Sequence, residues 1–280
     1  MKPSLPKGTR DFLPAEVVKR NYMFSVIEEV FKKYGYVPIE TPTMESLETL
    51  SGKYGEEGDR LLFRILNNGD FLSKADEEAL AARDSNRLVP SISKRGLRYD
   101  LTVPFARYVV MHRNELPLPF KRYQIQPVWR ADRPQRGRYQ EFYQCDVDVV
   151  GSTSLMYEAE QVRIYDEVFA RLGLPVTIRV NHRKVLAGLA QVCGIGDQLT
   201  AMTIAIDKLD KIGPDKVREE MLGRGIPAAS AQQVLTLLEN SDLSALPELL
   251  AGSQTGLEGA EDLSGVFALI EARPLTNRCV

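Results

Sequence analysis

Apolar residues recur every three or four positions in segments 14–34 and 153–172, and this spacing predicts two amphipathic helices. The apolar side of the first helix consists of Val18, Tyr22, Val26, Ile27, Val30, Phe31 and Tyr34. The apolar side of the second helix consists of Leu155, Ala159, Val162, Tyr165, Phe169 and Leu172. For this second helix, Thr153 is the predicted N-cap and Gly173 the predicted stop.

Three shorter segments carry strand signals. Residues 36–42 form an extended run whose two prolines fit an edge or interface strand. Residues 98–102 and 176–181 are each predicted to form a strand. Residues 104–114, which follow one of these strands, predict a further helix.

Two longer strand-like runs, 123–129 and 139–150, flank a loop that contains arginines. The first run is rich in aromatic and β-branched residues and the second alternates polar with apolar residues, so together they predict a β-hairpin. The loop arginines are Arg130, Arg133, Arg136 and Arg138. Arginine can bind phosphate through two parallel hydrogen bonds, and rigid strands would fix its geometry. The alternative is a solvated charged tip, but the arginines continue into the strand ends, above Phe142 and Gln144.

The order of the elements predicts an α+β domain built on an antiparallel sheet, because it lacks the regular βαβ alternation of a doubly wound fold. Residues 51–96 are polar and irregular, apart from an acidic helical patch at 74–83. Residues 183–271 show helical spacing with glycine and proline punctuation, which predicts a separate, mostly helical unit. No G-x-x-x-x-G-K-[ST] string occurs, so phosphate is not held by a P-loop.

The net charge of the whole chain is close to zero, but one segment is strongly basic. The 280 residues include 36 basic and 38 acidic side chains, and a net charge of -2 predicts no nucleic-acid or membrane partner. Between residues 98 and 140, however, nine Lys/Arg face three acids. This local surplus of basic side chains indicates an anionic ligand bound at one place.

Cysteine and histidine usage narrows the chemistry further. Cys145, Cys193 and Cys279 lie far apart and give neither a disulfide framework nor metal-ligand spacing, so we expect reduced thiols in a cytoplasmic protein. With only two histidines, His112 and His182, the sequence argues against a histidine-based metal site or catalytic triad. No apolar run approaches 18 residues, so we expect no membrane segment.

The arginine hairpin also carries a family resemblance. Arg130 at a strand end, Asp132 two residues on, a loop and a returning strand with an aromatic residue resemble the second signature motif of class II aminoacyl-tRNA synthetases. Four strings in order resemble histidyl-tRNA synthetases: 6–12 (PKGTRDF), 97–104 (LRYDLTVP), 133–139 (RPQRGRY) and 144–151 (QCDVDVVG). The prolines near Pro42 match the family's first motif, which builds its dimer interface.

The resemblance implies a domain plan. It covers about residues 5 to 183 well and the remainder only by position and helical character. The implied plan is a class II synthetase-like core over 1–183, with an antiparallel sheet flanked by helices. A helical insertion domain over 184–270 follows, and 271–280 begin the return to the core.

The resemblance also implies an activity and a set of site residues. Histidine would be activated by ATP, with Mg²⁺, to histidyl-adenylate and pyrophosphate, and a cytoplasmic homodimer would transfer it to tRNA(His). The implied ATP-binding residues are Arg130 for the α-phosphate, Asp132 for the adenine amino group, Arg138 for the outer phosphates and Phe142 beneath adenine. The implied histidine-binding residues are Asp100 and Thr102 for the α-amino group, Arg130 for the carboxylate, and Gln144 and Asp148 for the side-chain pocket.

Arg130 is the implied catalytic residue, and no metal ligand is assigned. Attack of a carboxylate on a phosphate brings two anions together, and a fixed guanidinium stabilises the charge that builds there. Loss of one such preorganised donor costs roughly 2–4 kcal/mol, which is the effect we expect of Arg130→Ala on the activation step.

Four of these site residues also have a simpler interpretation, and three further residues are expected to have no functional role. Asp100 could pair with Arg98 or Arg107, and Thr102 could cap the helix before Pro104. Phe142 could belong to the core, and Asp148 could be a solvated strand residue. Arg136 is then a mobile loop charge, and His112 and His182 are structural.

The sequence departs from the family at two places. Gln140 stands where many members carry arginine, so one phosphate contact is expected to be absent or supplied elsewhere. The chain stops at Val280, whereas the family continues with a histidine-closing segment, the third signature motif and an anticodon-binding domain. We therefore expect a truncated synthetase with impaired activity.

Two other functions are open alternatives. One is a non-catalytic, synthetase-like subunit that regulates ATP phosphoribosyltransferase in histidine synthesis. The retained arginine loop argues against it, because a sensor has no need to bind ATP. The other is a plain RNA-binding module, which would need aromatic and basic patterning beyond the hairpin.

Overall fold

The structure is a computed structural model that describes residues 2–52, 59–239 and 242–280. It separates into two compact units, Met1–Ser152 and Thr153–Val280. Helices and small sheets together confirm the predicted α+β class. The three-part plan divided at residues 183 and 270 concerns an inserted domain and stays a prediction.

The described part of the first unit has these elements in chain order: α1 (Pro14–Lys33), β1 (Val37–Pro38), β2 (Met44–Ser46), α2 (Leu47–Leu50), β3 (Arg64–Ile65), α3 (Glu77–Ala81), α4 (Ser85–Ile92), β4 (Arg95–Leu97), α5 (Thr102–His112), β5 (Phe120–Trp129) and β6 (Glu141–Val150). One sheet has the order β1-β5-β6, with β1 parallel to β5 and β5 antiparallel to β6. The other has the order β2-β4-β3 and is antiparallel.

Helix α1 covers one face of the hairpin β5–β6, as its apolar pattern predicts. Phe31 packs its ring 5.6 Å from that of Tyr123, and Phe24 packs 5.1 Å from Tyr143. The Tyr123 hydroxyl donates to Glu28 of the helix at 2.8 Å. Because side chains alternate along a strand, the opposite face of the hairpin is left for the polar residues.

The strand predicted at 98–102 is wrong, because the strand occupies Arg95–Leu97 and a helix begins at Thr102. The Arg98 side chain explains the break. It is 1% exposed, and its guanidinium donates to the carbonyl oxygens of Thr41 at 2.6 Å and Pro127 at 3.0 Å. A buried guanidinium needs such acceptors, so Arg98 holds this segment against the segments that contain Thr41 and Pro127 instead of extending the ladder.

The second unit is mostly helical. Its elements are α6 (Met156–Arg171), β7 (Thr177–Ile178), α7 (Arg183–Val192), a 3₁₀ turn (Gly196–Gln198), α8 (Leu199–Ile206), α9 (Leu209–Ile212), α10 (Pro214–Gly223), α11 (Ala228–Glu239), α12 (Leu246–Leu249), α13 (Gln254–Glu271) and β8 (Arg278–Cys279), with β7 and β8 paired in parallel. Its core contains Met202, Val217, Met221 and Val234, each fully buried.

Small residues bring two helices of this unit together. A Cβ added at Gly188 of α7 would lie 2.3 Å from the Cα of Gly256 in α13, so only glycine permits this crossing. The predicted stop at Gly173 is confirmed by its φ of +68°. The predicted N-cap at Thr153 is wrong: α6 begins at Met156 after Leu155, whose side chain makes no capping bond.

Candidate functional site

The register of the hairpin β5–β6 gathers the polar residues on one face. Four pairs stand directly opposite each other across the strands: Arg122 with Asp148, Gln124 with Asp146, Gln126 with Gln144, and Val128 with Phe142. Because every second side chain of a strand points the same way, all eight share a face, which we call the polar face. The predicted site residues Phe142, Gln144 and Asp148 therefore do lie together.

Arg130 continues this face at the end of β5. Its backbone N–H donates to the carbonyl of Gln140 at 2.9 Å, which places it at the mouth of the hairpin. Its Nε donates to the carbonyl of Tyr99 at 3.0 Å, and its guanidinium lies 5.1 Å from the centre of the Phe142 ring. Among the described residues, nothing hydrogen-bonds to the two terminal nitrogens, which are the pair that a phosphate or carboxylate would meet.

The loop beyond Arg130 carries Asp132 and Arg138. The Nε of Arg138 lies 3.7 Å from Oδ2 of Asp132, and the Arg138 side chain is 58% exposed. An exposed ion pair of this kind contributes little to stability. Arg138 can therefore leave Asp132 for an anionic ligand at small cost.

Gln140 fastens the base of this loop. Its side-chain Nε2 donates to the carbonyl of Asp132 at 2.9 Å, and its backbone N–H donates to the carbonyl of Gly8 at 2.8 Å. The N-terminal string 6–12 is thus in contact with the loop at its base. The Gln140 amide therefore acts within the loop.

Asp100 and Thr102 lie just before and at the start of α5. Asp100 is 7% exposed, and its Oδ1 accepts the backbone N–H of Val103 at 3.2 Å. Arg107, one of its suggested partners, instead binds Glu45 through two hydrogen bonds of 2.7 and 2.8 Å. The helix-cap interpretation of Thr102 is wrong, because Thr102 is the exposed first residue of the helix and the N-cap position belongs to Leu101.

Gln144 and Asp148 occupy the middle and far end of the polar face. The side-chain Oε1 of Gln144 is buried and, among the described residues, accepts no hydrogen bond. Such an acceptor is costly to bury unless a ligand donates to it. Oδ2 of Asp148 lies 2.6 Å from Nη2 of the fully buried Arg122, so Asp148 is an ion-paired residue and its solvated-strand interpretation is wrong.

Two opposing effects act on the pKa values of the carboxylates of this face. Burial raises the pKa of Asp146 to about 6, although the charge of Arg122 opposes the rise. Burial likewise raises the pKa of Asp148, and Arg122 again opposes it. One buried cation therefore serves two acids whose burial alone would favour their neutral forms.

Sequence reasoning singled out neither Arg122 nor its neighbours Gln124, Gln126 and Asp146. The signal was present, because all three β5 residues alternate with apolar residues in the run Phe120–Trp129. Recognising it requires the strand register, which shows that Arg122 meets Asp148 rather than solvent.

The histidines and cysteines noted in the sequence lie outside the polar face. His182 caps α7 by accepting the backbone N–H of Lys184 at 3.1 Å, which confirms a structural role, and the ring of His112 lies 4.7 Å from that of Tyr108. The cysteines are free. In the described ranges, no group of three or more potential metal-ligating side chains occurs, and no helix is long and apolar enough to cross a membrane.

Comparison with protein families gives a direct match. The family model described as Histidyl-tRNA synthetase matches residues 8–72 and 65–278. A curated histidine–tRNA ligase from Christiangramia forsetii is 56% identical over 281 residues, covering 98% of this chain and 62% of that protein. One from Porphyromonas gingivalis is 55% identical, covering 96% of this chain and 61% of that protein. The chain thus spans about three fifths of these relatives' length.

Solved structures agree. The crystal structure of histidyl-tRNA synthetase from Nostoc sp. PCC 7120 has a TM-score of 0.79 at 30% identity, covering all of this chain and 61% of that one. A Bacillus halodurans structure titled as an ATP phosphoribosyltransferase regulatory subunit/histidyl-tRNA synthetase has a TM-score of 0.73 at 22% identity, which shows the fold alone.

Proposed function

Since the chain belongs to the histidyl-tRNA synthetase family, we propose that its first unit carries the ATP and histidine sites of a histidine–tRNA ligase. Arg130 is the observation that carries this proposal. Its guanidinium is oriented by Tyr99 and Phe142, and its terminal nitrogens remain for a ligand. It also stands on the same strand face as Gln144 and Asp148, so an α-phosphate and a histidine can meet there.

The proposed first step joins histidine to AMP. A carboxylate oxygen of histidine attacks the α-phosphorus of ATP, a new P–O bond forms, and the bond to the leaving pyrophosphate breaks. Arg130 binds the carboxylate and the α-phosphate, which positions them and stabilises the charge on the phosphate. Arg138, which is exposed and only weakly paired with Asp132, reaches the outer phosphates. No protein nucleophile is needed.

Adenine is placed by the hairpin itself. Phe142, half-buried on β6, offers its ring beneath the base, while Asp132 accepts from the adenine amino group. The half-buried position of Phe142 supports this role over a core role. Mg²⁺ would arrive with ATP as the counterion of its phosphates; no protein ligand is assigned to it.

Histidine fits the remaining groups of the polar face. The buried Oε1 of Gln144 would gain a donor, and Asp148 would accept an imidazole N–H. Asp100 and Thr102, at the start of α5, would hold the α-amino group. One oxygen of Asp100 already accepts from Val103, which fixes the carboxylate for this task.

The second proposed step transfers the histidyl group to the terminal ribose of tRNA(His). We further propose a cytoplasmic homodimer, with the segment around Pro42 at the subunit interface. The helical segment 184–270 would lie toward the tRNA acceptor arm.

Two calorimetric titrations of this chain, with Mg-ATP and with histidine, test the proposal. We expect both ligands to bind, since the residues proposed for each lie on the polar face, in the adjoining arginine loop or at the start of α5. Histidine binding without ATP binding would favour the regulatory relative of ATP phosphoribosyltransferase. Binding of neither ligand would contradict the proposed sites.

A further inference from the structure

Arg122 is the most deeply buried charge beside the proposed histidine site. Its side chain is fully buried in the middle of the unit. Nη2 lies 2.6 Å from Oδ2 of Asp148, Nη1 donates to Oε1 of Gln124 at 3.3 Å, and the guanidinium lies 4.2 Å from the centre of the Phe105 ring. No other described part of the polar face holds a cation so far from solvent.

Burying a guanidinium costs desolvation free energy, so its position calls for a structural or functional reason. A buried guanidinium loses its hydration and regains stability only from acceptors, an ion partner and an aromatic face. Arg122 has one acceptor in Gln124, one ion partner in Asp148 and one aromatic face in Phe105, while its Nε makes no hydrogen bond among the described residues. The partner that carries its countercharge, Asp148, stands directly opposite it on β6, so the ladder itself fixes their distance.

The charges around Asp148 show what Arg122 does. Asp146 lies two residues away on the same strand, and Asp100 precedes α5; both are acids. The charge of Arg122 on β5 acts on all three acids, whereas that of Arg130 at the end of β5 acts on Asp146. Of these two, Arg122 is the one in direct contact with Asp148.

We propose that Arg122 is a positioning residue that holds the Asp148 carboxylate in one orientation, as a charged acceptor for the imidazole N–H of histidine. This role rests on the proposed function, because it requires histidine at the polar face. A fixed, charged acceptor selects against a side chain of similar size that lacks an N–H, since binding such a side chain would remove water from the carboxylate without giving it a donor. Arg122 thereby contributes to amino-acid selection without touching the amino acid.

Removal of the Arg122 charge should change the pKa of Asp148 and histidine binding in a way that simple loss of packing would not. Burial raises the pKa of Asp148 and Arg122 opposes that rise, so removal of the cation should raise the pKa further. Histidine binding should then weaken, with its acid limb displaced to higher pH. ATP binding should be unaffected, because Arg130, Arg138 and Phe142 do not contact Arg122.

Three variants test this. Arg122→Met keeps the length of the side chain and removes the charge, whereas Arg122→Lys keeps the charge and loses the planar fork. Lys121→Met is the matched control, because Lys121 is a neighbouring cation of β5 on the opposite face, bonded to the carbonyl of Tyr34 at 2.6 Å. Carboxyl NMR titration of Asp148 and calorimetry with histidine and with Mg-ATP are measured for each, after circular dichroism has confirmed folding.

We expect Arg122→Met to weaken histidine binding about 10- to 100-fold, the size of a lost hydrogen bond to a charged group, and to raise the titration midpoint of Asp148. Arg122→Lys should retain the wild-type midpoint but recover only part of the affinity. Lys121→Met should change neither. An unchanged Asp148 midpoint in folded Arg122→Met, or an equal loss of ATP binding, would overturn the proposal.

The two possible failures are distinguishable. If the wild-type protein does not bind histidine, the proposed function fails, and the role of Arg122 fails with it. If the wild type binds histidine and both Arg122 variants bind it with the wild-type affinity, only the role of Arg122 is contradicted. Should Arg122→Met not fold, Arg122→Lys decides alone: unchanged histidine affinity overturns the proposal.

Discussion

At the scale of single residues, contacts within the protein already orient side chains of the proposed site. Arg130 is held through Nε and its ring contact, and Asp100 through Val103. Most of these residues could be named from the resemblance to the family motif. Their orientations could not, because they depend on backbone carbonyls, such as that of Tyr99, that are distant in sequence.

Asp146 provides a test of the buried electrostatics. Its pKa is raised to about 6 in the folded protein, against about 3.9 in an unfolded chain. Between these values the folded state binds more protons than the unfolded state, so the contribution of Asp146 to stability falls as pH rises from about 4 to about 6. Asp146→Asn, which cannot ionise, should lose that component.

Urea unfolding of the wild type and Asp146→Asn at several pH values measures this component. The stability of the wild type relative to the variant should decline across that window and level off above it. A constant difference between the two proteins from pH 4 to 7 would show that Asp146 titrates normally in the folded state.

At the scale of elements, the amphipathic helices and the hairpin were predictable and the short connections were not. Helix α1 and the strands β5 and β6 follow from periodicities of 3.6 and 2, which are properties of the sequence alone. The strand expected at 98–102 failed because a long-range contact overrides the local signal: the buried Arg98 side chain reaches the carbonyls of Thr41 and Pro127. The cap expected at Thr153 failed because α6 begins at Met156.

The contact between the N-terminal string and the arginine loop gives an element-scale prediction. Gly8 has a φ of +84°, and a Cβ there would lie 2.7 Å from Cγ of Gln140, whose amide holds Asp132. Gly8→Ala should therefore displace Gln140 and loosen the loop. We expect weaker Mg-ATP binding, by several-fold, with histidine binding close to wild type.

Gly35→Ala is the control for backbone strain. Gly35 has a similar φ of +80°, but a Cβ at that position meets nothing within 4 Å. Both substitutions force a side chain into the left-handed region, at a cost of roughly 1 kcal/mol. Only Gly8→Ala should alter ATP affinity. Equal ATP affinities in the two variants would mean that the N-terminal contact does not position the loop.

At the scale of the whole molecule, the chain belongs to the histidyl-tRNA synthetase family, and the polar face places the residues that the proposed function requires on one side of the hairpin. The family match covers nearly all of the chain, while the chain covers 62% of its relative from Christiangramia forsetii. The sequence could predict the family, because four strings in order resemble it, and the local excess of arginine adds the prediction of an anionic ligand, which stays a prediction. It could not predict the Arg122–Asp148 pair, since two residues 26 positions apart meet only once the hairpin has its register.

The most direct test is a calorimetric titration with Mg-ATP of three proteins: wild type, Arg130→Ala and Arg136→Ala. Arg136 is an exposed arginine of the same loop and controls for the general loss of positive charge. Loss of a hydrogen bond to a charged group costs roughly 1.5–3 kcal/mol, so Arg130→Ala should bind Mg-ATP at least about 10-fold more weakly, and Arg136→Ala about as well as wild type. Equal weakening in both variants, or wild-type affinity in Arg130→Ala, would contradict the claim that Arg130 is the fixed phosphate-binding group of this site.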